Sequence, residues 1–159
     1  MIKKRFQLMI FLLLMVSLPA TASELVQLKP EKQEKCPVCG MFVYKYPDWT
    51  AQVAFADQRR YYFDGPKDLF KFVFHLDKYH PDKSAADIKT IRVTDYYDVV
   101  AIDGRSAHFV VGSDVTGPMG KELIPFASGQ AALEFSKDHG GTAVLTYEQI
   151  TPAVIDKLD

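Results

Sequence analysis

Cysteine is scarce in this chain: two, Cys36 and Cys39, stand among 159 residues, and no second pair exists. That excludes a zinc clip built from two contiguous Cys pairs. Long apolar runs are missing as well. The best candidate, Phe6 to Leu18, is interrupted by Gln7 and Ser17 and falls short of the roughly 18 to 20 residues a membrane span needs. Neither sign of charge prevails, with 19 Lys and Arg against 20 Asp and Glu, so the basic stripe that nucleic acid demands is absent. Nothing resembles a phosphate loop, a Ser-His-Asp set or a pair of catalytic carboxylates. Asp95 and Asp98, which flank Tyr96-Tyr97, read as surface turn residues, and no enzyme chemistry is visible. What is present is the balance of a folded body, 13% aromatic and 25% charged.

The first residues read as an export signal. Lys3, Lys4 and Arg5 form a basic start, the apolar stretch follows, and Ala20-Thr21-Ala22 fits the small-x-small cleavage pattern. Residues 1–22 are expected to be removed, with an uncleaved anchor as the alternative. No cysteine lies near the cleavage point, so lipidation is not supported. Export implies an oxidising compartment, where two cysteines spaced Cys-x-x-Cys tend to close into a disulfide unless something holds the sulfurs.

Residues 23–35 are polar, contain Pro30 and read as an extended leader to a domain spanning 36–159. Partial alternation over Thr50 to Phe55, the polar Asp57-Gln58 and the run Arg60 to Phe63 predict a hairpin. Asp64 or Gly65 then caps a helix, with Pro66 in its first turn, Leu69, Phe70, Phe72, Val73 and Leu76 at helical spacing, and Pro81 as its stop. A strand over Thr90 to Thr94 follows. Val99 to Ile102, Asp103-Gly104 and Ala107 to Val111 read as a second hairpin. Gly112 to Gly120 is a loop by composition, Leu123 to Phe126 a short strand, and Ser128 the cap of a helix carrying Ala131, Ala132 and Phe135. Gly140-Gly141 stops that helix, Thr142 to Thr146 returns as a strand, and a last helical turn or two follows Pro152. Phe63 and Phe72 flank the first helix at the separation at which Phe126 and Phe135 flank the second. The expected fold is α+β: two tandem ββαβ units, about 49–95 and 99–147, packed as one body.

The stretch "KCPVCGM", Lys35 to Met41, places three sulfurs within six residues. A redox pair wants its first thiol at a helix N-terminus after a strand, and here a polar leader precedes the motif while Gly40 and Pro47 disfavour a helix after it. A zinc module needs two further ligands, for which His75 and His80 stand far beyond finger spacing. A structural disulfide across so short a loop is strained and stabilises little. The remaining reading uses the thioether of Met41, a soft neutral donor that together with thiolate selects Cu(I). Met119, in the polar Gly117-Pro118-Met119-Gly120, is poor core filler and a candidate fourth donor. His108, in a strand between apolar neighbours, is a further candidate ligand. His75, His80 and His139 read as structural or surface residues, His139 at a helix C-terminus where a cation suits the dipole.

Cys39-Gly40-Met41, "YFDG" from Tyr62 to Gly65, "FVVGSDVTGPMGKELIPF" from Phe109 to Phe126 and "EFSKDHGG" from Glu134 to Gly141 together resemble the NosL family over nearly the whole mature chain. The resemblance implies a Cu(I) metallochaperone of the cell envelope, a free periplasmic protein here, with a fold related to part of organomercurial lyases. It would deliver copper for the centres of nitrous-oxide reductase with help from a membrane ABC-type complex. The family's Cys-x-Met pair maps onto Cys39 and Met41, and its loop methionine onto Met119. Cys36 is a departure that makes the site Cys-x-x-Cys-x-Met. The rivals are a thiol oxidoreductase and a zinc-binding module.

Overall fold

The computed structural model describes residues 27–159, so the expected signal sequence and the first residues of the leader lie outside the described part. Strands β1 (Ala51–Phe55) and β2 (Arg60–Phe63) form the first hairpin, turned through Gln58 at φ 72°. Helix α1 (Pro66–Phe74) starts at Gly65, whose extended backbone makes it the N-cap, with Pro66 at the first helical position. His75 leaves helical geometry and the chain restarts as the short α2 (Leu76–Tyr79). The single expected helix is therefore broken, and the break lets His80 pack edge-on against Phe55 and Tyr61, each at 5.6 Å between centroids. Strand β3 (Ile88–Thr94) then pairs antiparallel with β1, Val53 opposite Ile91.

The second expected hairpin does not form. Strand β4 (Ala101–Asp103) pairs with β3, whereas β5 (His108–Val111) enters another sheet. The Asp103-Gly104 pair misleads because its glycine serves a different purpose. Gly104 lies outside the left-handed region, and a Cβ there would sit 2.7 Å from Cγ2 of Ile91, so the glycine allows the backbone to press against β3. Its N–H donates to the Ile91 carbonyl at 2.9 Å, and the Arg105 guanidinium donates to the Ile88 and Lys89 carbonyls at 3.0 and 3.1 Å. These bonds hold the turn onto β3 and send the chain away from β4.

The expected loop after β5 contains a small hairpin, β6 (Thr116–Gly117) and β7 (Gly120–Lys121), with Pro118-Met119 at its tip. Strand β8 (Ile124–Phe126) follows, then α3 (Gly129–Asp138), whose N-cap Ser128 accepts the Ala131 N–H, then β9 (Ala143–Thr146) and the terminal α4 (Pro152–Asp156). The first sheet has the order β2-β1-β3-β4 and the second β8-β5-β9. Leaving β4 aside, each sheet places its first strand between its second and third, with the helix between the second and third strands in sequence. The fold is α+β. Phe63 meets Phe72 at 5.2 Å and Phe126 meets Phe135 at 5.0 Å, the same contact in both halves.

Of the two core clusters among the described residues, the larger joins the halves, and the smaller, with Ile124, Phe126 and Phe135, lies within the second half. Phe70 of α1 packs against Phe109 of β5 at 5.5 Å and Tyr147 at 5.6 Å, and Leu123, Ile155 and Leu158 share its cluster. Asp95, expected at the surface, is 4% exposed. Its carboxylate accepts the N–H groups of Tyr97 and Asp98 and, from the other half, that of Ala127 at 2.7 Å. Short-range turn chemistry was legible there, and the third bond across the halves was not. Among the described residues no helix is long and apolar enough to cross a membrane.

Candidate metal centre

Lys35 and Phe42 pair as an isolated antiparallel bridge and close a knuckle that carries both cysteines. Within it the Cys36 N–H donates to the Met41 carbonyl at 2.8 Å and the Gly40 N–H to the Cys36 carbonyl at 2.9 Å. Gly40 adopts φ 80°, the left-handed conformation in which a side chain is disfavoured, and so turns the chain back. No helix begins at the motif; two short 3-10 turns, Val43–Lys45 and Pro47–Trp49, follow it. The motif thus does not open a helix of its own, as a redox Cys-x-x-Cys pair does.

Facing the knuckle is the start of α1. Asp64 precedes the N-cap and Asp68 lies in the first turn, so the two carboxylates flank the Gly65-Pro66 corner. The Cys36 thiol donates to Oδ2 of Asp68 at 3.2 Å, and the Cys39 thiol to Oδ1 of Asp64 at 3.1 Å. One donor atom from each of Cys36, Cys39, Asp64 and Asp68 lies within 4.8 Å of the others. Asp64 is 1% exposed and Asp68 4%, and among the described residues neither forms an ion pair. Buried carboxyl groups are costly unless partnered, and two thiols and two carboxyls this close together form a set that could hold a metal ion.

Burial, reinforced by the Asp68 charge, pushes the Cys36 thiol far above the ordinary thiol range. Cys39 is raised to about 12, again by burial first and then by its bonds to Asp64 and Asp68. Both sulfurs are therefore held protonated, the reverse of a nucleophilic cysteine.

Met41 is half-buried at the end of the knuckle. Met119 is 45% exposed at the tip of the β6–β7 hairpin, so it is not core filler. Its carbonyl accepts the Lys67 ammonium at 3.0 Å, which docks the hairpin on the same end of α1 that carries Asp68. His108 stands elsewhere: it pairs with Phe126 and Thr146 in the second sheet, its ring abuts Gly129 at the start of α3, and its buried Nδ1 has no partner among the described residues. His75 follows α1, His80 packs on Phe55 and Tyr61, and the His139 ring bonds Asp114 at 2.9 Å.

Asp64 and Asp68 are the site residues that the sequence reading missed. Carboxylates at the start of a helix normally serve as caps or dipole partners. The available signal was their spacing of four across a Gly-Pro corner, where glycine takes the cap role and frees Asp64.

Residues 27–155 match the NosL family model. The copper-binding lipoprotein NosL of Stutzerimonas stutzeri is 31% identical over 133 residues, which cover 78% of this chain. The chain spans 65% of that relative's length. The crystal structure of the copper chaperone NosL from Shewanella denitrificans is similar at a TM-score of 0.66 and 26% identity, over 80% of this chain and 97% of that one. With the Cys-x-x-Cys-x-Met knuckle and the α+β fold already in place, these likenesses make the chain a member of the NosL family.

Proposed function

We propose that this chain is an exported Cu(I) carrier of the periplasm that receives the ion at the knuckle and passes it to a client cuproenzyme. Cys39 is the anchoring thiolate, Cys36 assists it, and Met41 and Met119 are exchangeable thioethers. The observation that carries the reading is the convergence of two thiols and two buried carboxyl groups that form no ion pair among the described residues; the two methionines are proposed as donors from their chemistry. Thiolate and thioether select Cu(I), and the carboxylates offset the positive charge of the incoming ion. Transfer is stepwise ligand exchange: each client donor forms one Cu–S bond as one bond to the carrier breaks, with no change of oxidation state. The client is nitrous-oxide reductase or a related copper enzyme, served with a membrane ABC-type complex. His108, set apart on the second sheet, has no part in this scheme.

The test is a Cu(I) titration of reduced residues 23–159 against a chromophoric chelator, repeated for Cys39→Ser and Met119→Leu. Both variants are expected to lose affinity, Cys39→Ser the more. Equal affinity in all three proteins would refute the assignment. The oxygen donors Asp64 and Asp68 favour one rival, Zn(II), which takes mixed thiolate and carboxylate sets. Anaerobic competition separates the two: a carrier of this kind keeps Cu(I) against excess Zn(II), and displacement by zinc would favour the rival.

A further inference from the structure

Lys67 is 3% exposed, and its ammonium joins three segments of the chain. It donates to the carbonyls of Met119 at 3.0 Å and Leu158 at 3.2 Å and lies 3.6 Å from the Asp159 carboxylate. Its backbone is tied as firmly. The Glu122 carboxylate, 4% exposed, accepts the Lys67 N–H at 2.6 Å and the Leu123 N–H at 2.9 Å, so a side chain from the second half caps the helix of the first. Two glycines make room for it: a Cβ at Gly65 would lie 2.2 Å from Glu122 Oε2, and one at Gly117 would lie 3.0 Å from its Cγ. Met119, three residues before Glu122, is carried at the tip of the hairpin these contacts hold.

We infer that Lys67 and Glu122 are positioning residues that hold the Met119 hairpin against the start of α1, so that thioether supply to the cysteine site depends on this latch. The inference rests on the copper-carrier reading and adds where the site opens. The knuckle lies in the first half of the chain and is fixed by its own turn. The thioether arrives on an arm from the second half, held by main-chain contacts that a docking protein can displace. Removing the arm takes away one neutral donor and leaves both thiolates, which is how a carrier lowers its hold on an ion without expelling it.

Lys67→Leu keeps an apolar stem, brings in no sulfur and removes the ammonium. Cu(I) affinity is expected to fall roughly 10- to 100-fold, the usual effect of removing an outer partner of a metal ligand. The number of sulfur neighbours of copper by X-ray absorption should drop by one. Adding Met119→Leu to Lys67→Leu should cost nothing more, because the arm is already lost. Lys71→Leu removes a cation that pairs with Asp159 but does not touch the hairpin, and it should bind copper as the parent does. Should Lys67→Leu fail to fold, Pro118→Gly loosens the hairpin tip from outside and is expected to give the same loss, abolished in the Met119→Leu background. Additive losses, or a parental sulfur count in Lys67→Leu and Pro118→Gly, would overturn the positioning role. If Met119→Leu alone binds as tightly as the parent, the thioether itself leaves the site, and the copper reading fails at that donor before the latch does.

Discussion

Raising the pH should tighten Cu(I) binding steeply, and the slope counts the thiols that become ligands. Burial beside Asp64 and Asp68 keeps Cys39 protonated up to about 12 and Cys36 beyond that, so at neutral pH each thiol must give up a proton as its sulfur meets the metal. Affinity then rises about tenfold per pH unit for each thiol engaged, or about ten-thousandfold from about pH 6 to 8 with two thiols and about a hundredfold with one. The assay is competition against a chelator whose own proton uptake is known, with a direct count of protons released into weak buffer. A proton retained on a neighbouring carboxylate would lower the count in the parent and restore it in Asp64→Asn or Asp68→Asn. Fewer than about half a proton per copper, in parent and variants alike, would show that the thiols are not the ligands. The metal-free protein supplies the complementary sign. A thiol whose folded value stands above its ordinary 9.0 contributes fully below pH 9, and stability falls as the pH climbs from there towards about 12. Bound copper should abolish that fall.

Burial raises the Glu122 carboxyl to about 8 from an ordinary 4.5, so its contribution is complete below 4.5 and stability should decline as the pH rises through about 8. Glu122→Gln keeps the carbonyl acceptor for Lys67 and Leu123, and its denaturant midpoint should be flat over that window. Phe72→Ala removes a fully buried ring packed on Phe55, Phe63 and Tyr79 and should cost about 3 to 5 kcal/mol by urea unfolding. Gly104→Val places a branched side chain where even a Cβ meets Ile91 at 2.7 Å; a cost of roughly 1 to 3 kcal/mol, with β4 amides exchanging faster, is expected from overpacking.

Local chemistry was readable from the residues. The spacing of Leu69, Phe70 and Phe72, the corner at Gly65-Pro66 and the cap at Ser128 each reflect forces acting over a few residues, and both helices start where those forces place them, although the first breaks at His75. The matched phenylalanines were legible because each helix sets a phenylalanine against one on its own sheet. The partners of β1 and β2 were legible as a hairpin, whereas those of β4 and β5 were not. Gly104, pressed against Ile91, is set by the neighbouring strand, and a sequence does not display that neighbour. The same limit hid half of the candidate centre. Cys36 and Cys39 announced themselves by spacing, whereas Asp64 and Asp68 gain meaning only because the knuckle, 25 or more residues earlier, folds over them.

The loan of β4 to the first sheet bears on how the molecule can be cut. A fragment ending near residue 98 would leave β3 as a bare margin, its outward N–H and C=O groups open to recruitment by another chain. A fragment beginning there would carry an orphan strand with no ladder to join. The natural scissors point is the turn after Asp103, where the chain leaves one sheet for the other, and even there Arg105 stitches the severed end back to Ile88 and Lys89.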